Sequence, residues 1–275
     1  MAINFIKMHG LKNDFIIIDG RKKKIYLNKN LVKKIANRKI GLGCDQVIIL
    51  EKPKKRKTFA FIKIFNADGS ETNACGNASR CVAFLLMKEL KIKKIVIQTK
   101  AGLLNAIMKK NNMISVDIGK AYFKWNQIPL KRKTNIDEVD FKIDSYIKPF
   151  LVNIGNPHII FFVKNLKKII LKKVGPKIEK NPLFPERINV NFAEILTNNR
   201  ISLRVWERGV GITKACGTGA SATSVAAIKK KLMNGRVCQI QMDGGKLKIE
   251  YKKNGHIVMT GPVKTIKKGN LSKYF

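Results

Sequence analysis

Apolar residues fall in short runs along the first part of the chain, at 3–8, 14–19, 46–50 and 59–65. Each run is rich in Ile and Phe and bounded by Gly, Asn or Asp, the pattern of strands separated by turns. Residues 30–38 predict a surface helix with Asn30 as its N-cap. The texture changes at 78–90, apolar nearly all round, which predicts a helix buried within its domain. Strands are expected again at 94–99, 103–108 and 113–118. The second half repeats this plan, with strand-like runs at 151–154, 158–163 and 200–206 and a helix of small and apolar residues at 219–228. Lys229, Lys230 and Lys231 suit the negative end of that helix, and Asn234-Gly235 is expected to stop it. Further strands are expected at 237–242, 246–251 and 256–260.

The two halves share more than texture. At an offset of 141–143 residues, three blocks recur in the same order. Asn13-Asp14-Phe15-Ile16 falls on Asn156-Pro157-His158-Ile159, Gln46-Val47 on Asn189-Val190, and Ala74-Cys75-Gly76-Asn77 on Ala215-Cys216-Gly217-Thr218. A duplicated domain accounts for three ordered matches at nearly one spacing. Two related domains commonly bind ligand between them, each bringing one Cys-Gly turn.

The 275 residues suffice for two such domains, and a 45% hydrophobic content is too high for a disordered polymer. No apolar run approaches the roughly 18 residues of a membrane-spanning helix. Residues 1–10 lack a signal core, and five cysteines, an odd number, argue against a disulfide framework. A reducing, cytoplasmic setting is expected. The net charge of +38 raises the possibility of a nucleic-acid binder. However, 46 of the 56 basic residues are Lys, spread along the whole chain beside abundant Ile and Asn. That pattern fits the drift of an A+T-rich genome better than a concentrated Arg- and aromatic-rich nucleic-acid surface. Such a field would still attract anionic substrates.

Cys75 and Cys216 carry the most specific chemistry. Each precedes a buried helix and is followed by Gly, which lets a ligand approach the backbone. A helix N-terminus presents unpaired N–H groups and partial positive charge, expected to lower the neighbouring thiol pKa and to hold a carboxylate. A carboxylate held at two such ends would bring its α-carbon between two sulfurs. Inverting a stereocentre needs a base on one face and an acid on the other, roles that a thiol and a thiolate can exchange. For Cys44, Cys81 and Cys238 core filling is expected. The absence of Cys-x-x-Cys and of a His cluster predicts no metal site, and neither Gly41-Leu42-Gly43 nor Gly209-Val210-Gly211 completes a dinucleotide fingerprint. His158 reads either as a structural histidine or as a ligand contact, and Glu207-Arg208 either as a surface ion pair or as a ligand contact.

Taken in order, several blocks resemble the diaminopimelate epimerase family over residues 8–269: Met8-His9-Gly10-Leu11-Lys12-Asn13-Asp14-Phe15, Gly41-Leu42-Gly43-Cys44-Asp45-Gln46, Asn66-Ala67-Asp68-Gly69-Ser70-Glu71, Ala74-Cys75-Gly76-Asn77, Gly155-Asn156-Pro157-His158, Trp206-Glu207-Arg208-Gly209 and Ala215-Cys216-Gly217-Thr218-Gly219. Proline racemases share the two-cysteine plan and resemble these blocks less well. The resemblance implies an α+β fold of two pseudosymmetric domains, each a curved, mostly antiparallel sheet wrapped around a central buried helix, with the active site in the interdomain cleft. The domains would be residues 1–118, joined by a C-terminal strand at 263–275, and residues 119–262. It implies interconversion of LL- and meso-2,6-diaminopimelate for lysine and peptidoglycan precursors, with no cofactor and no metal.

By the same resemblance Cys216 is the proton acceptor and Cys75 the donor from LL to meso, with His158 and Glu207 in support. Gly76, Asn77, Gly217 and Thr218 would hold the reacting carboxylate, and Asn13, Gln46, Asn66, Asn156, Asn189, Glu207 and Arg208 would recognise the substrate. A cytoplasmic homodimer is implied, with a small-molecule substrate and no specific nucleic-acid or membrane partner. Lys267 and Lys268 stand where the family commonly has an aromatic residue near the dimer contact. A proline- or hydroxyproline-type racemase and a basic nucleic-acid-binding protein are the alternatives.

Overall fold

The computed structural model describes residues 3–134, 136, 139, 141–144 and 146–274; the expected domain ends at 1 and 275 lie outside them. The chain divides into two compact units, Met1–Asp117 with Thr260–Phe275, and Ile118–Met259. Each is α+β. Among the described residues no helix is long and apolar enough to cross a membrane.

In the first unit, strand Asn4–Gly10 pairs antiparallel with Asn13–Asp19 on one side and with Lys264–Asn270 on the other. Asn13–Asp19 runs parallel to Gln46–Glu51, which runs antiparallel to Phe61–Asn66. Five successive residues of Asn13–Asp19 are buried, as expected of a parallel strand covered on both faces. Helix α1, Lys29–Ala36, lays Val32, Ile35 and Ala36 on a core containing Ile16, Ile18 and Val47. Helix α2, Gly76–Glu89, is buried without a break from Asn77 to Ala83 and packs against Asn4–Gly10, Lys94–Thr99 and Gly102–Met108.

The second unit follows the same order. Phe150–Asn153 pairs antiparallel with Pro157–Phe162, which runs parallel to Asn189–Thr197, itself antiparallel to Arg200–Glu207. Helix α3, Leu171–Glu179, lies beside this sheet. Helix α4, Gly217–Lys229, is buried continuously from Gly219 to Ala227. Its Gly, Ala and Ser side chains let the sheet approach closely, and Ser221 donates to Gly217 O at 2.9 Å as Ser79 of α2 donates to Cys75 O at 2.9 Å. The duplication extends to register. Phe15 faces Gln46 and Val47 faces Phe65 in the first unit; His158 faces Asn189 and Val190 faces Trp206 in the second.

Several expected boundaries move. Helix α1 is capped by Asn28, not Asn30, because the Asn28 side chain accepts the Leu31 N–H at 2.8 Å. Helices α2 and α4 each begin two residues before their apolar runs, at the residue after an extended cysteine. The expected stop at Asn234-Gly235 is also corrected: α4 ends at Lys229 and the chain turns at Lys231, whose φ is 56°. Helix α3 and strand Asn189–Thr197 were not evident from periodicity. Gly175 and Pro176 interrupt the first, and two asparagines on one face interrupt the second.

Gly175 meets the Trp206 ring so closely that a Cβ there would lie 2.7 Å from ring carbons. Gly175→Ala is expected to lower stability by about 1–3 kcal/mol, as overpacking does, seen as a fall in the urea midpoint. An unchanged midpoint would contradict this packing.

Candidate functional site

The start of α2 and one end of the first sheet carry a common group of polar residues. Asn13 and Gln46 open two parallel strands, and Asn66 closes the antiparallel strand opposite, facing Gln46 directly. This topology sets all three at the same sheet end. Asn77, the second residue of α2, ties the helix start there by donating from Nδ2 to Asn13 Oδ1 at 3.2 Å. Asn13 Nδ2 donates in turn to Asp45 Oδ2 at 2.8 Å. Gln46 Nε2 donates to Asn66 Oδ1 at 2.9 Å, and Asn66 Nδ2 donates to Ser70 Oγ at 3.0 Å. Gln46 Oε1 is buried without a hydrogen-bond partner among the described residues. Cys75 is the extended N-cap residue, half-buried, with Gly76 next to it opening α2.

Charged groups brace this end. Arg38 forks onto Asp14 at 2.8 and 3.1 Å and reaches Asp45 at 2.7 Å, while Lys7 lies 3.3 Å from Asp14. Burial alone would raise the Asp14 pKa, but the hydrogen bonds and charges of Arg38 and Lys7 outweigh it and hold the carboxyl below its usual range.

The second unit assembles the corresponding end. Cys216 is the extended N-cap of α4, with Gly217 and Thr218 as the first two helical residues. Its sulfur accepts the Gly219 N–H at 3.3 Å and lies 3.4 Å from Thr218 Oγ1. Thr218 Oγ1 also accepts from Asn156 Nδ2 at 3.3 Å, and Asn156 Oδ1 is 3.0 Å from His158 Nε2. Glu207, the last residue of its strand, accepts a hydrogen bond from the Thr213 hydroxyl.

The expected lowering of the thiol pKa does not hold at Cys216. Burial pushes the thiol well above its ordinary value, the Glu207 carboxylate adds to the rise, and the hydrogen bonds from Thr218 and Gly219 offset only part of it. A helix start contributes about half a charge, too little to outweigh both complete burial and a nearby full negative charge. Cys44, Cys81 and Cys238 are buried as core residues, and burial raises their pKa to about 12, 12 and 11 respectively. His158 is buried and held neutral; burial lowers its pKa to about 3.

Two further expected substrate contacts are likewise engaged within the protein. Asn189 donates to Pro157 O at 2.9 Å and accepts the Arg208 backbone N–H at 3.0 Å. Arg208 donates from Nη1 to Glu186 O at 2.9 Å. Sequence reasoning missed several supporting residues. Glu179, on α3, accepts from Trp206 Nε1 at 2.7 Å and from the Gly209 N–H at 2.8 Å, so it clamps the turn that carries Glu207 and Arg208. Asp45 directly precedes Gln46 in the 41–46 block, and Asn191 shares a strand face with Asn189. That two-residue spacing was the available signal. Among the described residues no group of three or more His, Cys, Asp or Glu side chains could hold a metal ion.

Two tests follow from the electrostatics. Because the folded Asp14 pKa is depressed, its stabilising contribution is present above the unfolded carboxylate value near 4 and is lost as pH falls through the folded pKa. Asp14→Asn is expected to destabilise by about 2 kcal/mol at pH 7, with a smaller difference at pH 3, measured by urea unfolding. A difference that stays constant with pH would contradict the ion pairing. For Cys216, removing the carboxylate with Glu207→Gln should lower the thiol pKa. Each unit of decrease gives about tenfold more thiolate but roughly threefold lower nucleophilicity, so alkylation at pH 8 should quicken about threefold. Peptide mass spectrometry reads the rate, and a slower rate would contradict the influence of Glu207.

The diaminopimelate epimerase family model matches residues 5–124 and 150–266. The diaminopimelate epimerase of Rhodospirillum centenum is 42% identical over 273 residues, covering 99% of this chain and 94% of that protein. That of Pelagibacter ubique is 43% identical over 278 residues, covering 98% and 99%. A hydroxyproline epimerase structure from Agrobacterium vitis, with bound trans-4-hydroxy-L-proline, superposes with a TM-score of 0.72 at 13% identity, covering 98% of this chain and 92% of that one. A phenazine biosynthesis protein of the PhzF family from Bacillus anthracis gives 0.69 at 14% identity, covering 98% and 99%. These two structures share the fold. By its family match and its relatives at over 40% identity along nearly the full length, the chain belongs to the diaminopimelate epimerase family.

Proposed function

We propose that this protein is an isomerase that interconverts LL- and meso-2,6-diaminopimelate through two thiols, one acting on each face of the reacting carbon. The observation that carries the reading is the recurrence of one device: a cysteine-capped, buried helix N-terminus at the equivalent point of both duplicated units. In this reading the domains are residues 1–118 with 263–275, and 119–262. Inversion by two bases requires both sulfurs to reach a single α-carbon. The backbone N–H groups of Gly76, Asn77, Gly217 and Thr218 would hold the α-carboxylate. They would also stabilise the negative charge that builds on it as the α-proton leaves.

From LL to meso, Cys216 takes the α-proton as a thiolate and Cys75 returns one from the other face. Glu207 is the group suited to receive the Cys216 proton beforehand, since its carboxylate is near enough to raise that thiol's pKa. Recognition of the zwitterionic substrate falls to Asn13, Gln46, Asn66, Asn156, Asn189, Glu207 and Arg208. The unpartnered Gln46 Oε1 suits an ammonium donor, and the remaining donors of Arg208 suit the distal carboxylate. Asn189 acts mainly by fixing the Arg208 backbone. The reaction needs no cofactor or metal in this scheme. The setting proposed is cytoplasmic, in lysine and peptidoglycan precursor synthesis, with a homodimer as the assembly and no specific nucleic-acid partner.

Cys75→Ala and Cys216→Ala are each expected to reduce epimerisation by at least about a thousandfold while leaving the fold intact by circular dichroism. Proton NMR of LL-diaminopimelate reads conversion. Substantial epimerisation by either folded variant would reject the two-thiol scheme. A panel including proline and hydroxyproline separates substrates, and preferential turnover of either would reject the diaminopimelate assignment.

A further inference from the structure

A series of directed hydrogen bonds leads from the core of the second unit to the Cys216 sulfur. It begins at Asn191, completely buried within Asn189–Thr197. Asn191 Nδ2 lies 3.0 Å from Ile159 O and 3.1 Å from His158 Nδ1, with Asn189 O farther away at 3.4 Å. Carbonyl oxygens only accept, so the amide must turn its NH2 toward them; the reversed amide would set Oδ1 against both. In this orientation Oδ1 lies 2.7 Å from where a side chain on Gly219 would begin, so glycine at 219 leaves room for it.

The two Nδ2 hydrogens then serve Ile159 O and His158 Nδ1. A neutral imidazole that accepts at Nδ1 carries its proton on Nε2. Burial keeps the ring neutral. His158 Nε2–H therefore donates to Asn156 Oδ1 at 3.0 Å, which turns the Asn156 amide so that Nδ2 faces Thr218 Oγ1 at 3.3 Å. The Thr218 hydroxyl, accepting there, has its own hydrogen for the Cys216 sulfur at 3.4 Å. Both ring nitrogens of His158 are engaged, so it orders this series and does not itself transfer the substrate proton.

We propose that Asn191 is a positioning residue for Cys216: it selects the Nε2–H tautomer of His158, which orients Asn156 and directs the Thr218 hydroxyl onto the sulfur. This assignment rests on Cys216 acting as a proton-transferring thiol.

Nitrogen-15 NMR of the imidazole rings tests it, with the signal assigned among the three histidines by His158→Gln. The wild type should show Nε2–H at His158; an Nδ1–H ring there overturns the proposal without recourse to any variant. Asn191→Leu, similar in size but without the amide, should mix the tautomers and slow Cys216 alkylation about threefold as the thiolate loses a donor. It should also lower kcat about tenfold, as loss of an orienting partner does, with KM changed less than about twofold. An unchanged tautomer or unchanged kcat in the folded variant overturns the assignment. If Asn191 acts through Thr218, the leucine substitution should add little to the loss caused by Thr218→Val, and additive losses would contradict it. The tautomer and alkylation readouts need no substrate. They therefore decide on Asn191 even where the wild type fails to turn over diaminopimelate, an outcome that would instead reject the functional reading.

Discussion

A buried helix begins with backbone N–H groups that have no acceptor inside the helix, and this requirement organises both halves of the molecule. In α2 and α4 the residue before the first turn is an extended cysteine, followed at once by glycine. Glycine keeps the approach to the N–H groups open. The next residue, Asn77 or Thr218, is polar and hydrogen-bonds to an asparagine that opens, or immediately precedes, the neighbouring strand. Behind it, side chains that are small or apolar, apart from the buried Arg80 of α2, allow the sheet to close around the helix. Because two parallel strands begin, and an antiparallel strand ends, at the same sheet edge, the amides and Glu207 arrive there through topology alone.

The same burial that isolates these helix starts works against ionisation of the thiol. At Cys216, loss of solvent and the Glu207 carboxylate prevail over the helix end and two hydrogen bonds, so the resting thiol keeps its proton. A protonated thiol is a poor nucleophile and resists alkylation and oxidation. In the proposed reaction the sulfur is freed as its proton passes to Glu207, which removes the carboxylate charge that holds the thiol pKa up.

Most of the fold was legible because the apolar positions of strands such as Gln46–Glu51 and Gly245–Tyr251 follow their burial closely. The duplication was legible because three blocks kept nearly one spacing, and the register of Phe15 on Gln46 and His158 on Asn189 repeats the spacing of two of them. Helix α3 was hidden by Gly175 and Pro176, and the glycine answers to the Trp206 ring packed against the helix and not to local propensity. Strand Asn189–Thr197 was hidden by two asparagines whose side-chain N–H groups are satisfied by carbonyls far along the chain. The Cys216 pKa was misjudged because the helix end can be read from neighbouring residues, whereas burial and the approach of Glu207 depend on the tertiary fold. Residues such as Asp45, Glu179 and Asn191 support others through hydrogen bonds to residues far along the chain, and no local pattern announces such roles.

The central claim is that a different group serves each face of the α-carbon. It is tested most directly by following LL-diaminopimelate with the wild-type enzyme in deuterium oxide, at early conversion, by mass spectrometry and NMR. Two separate thiols predict meso product carrying a solvent-derived deuteron at the inverted carbon, while the remaining LL substrate stays unlabelled. Labelling of the recovered substrate as fast as the product would mean that one group removes and returns the proton, and would contradict the account.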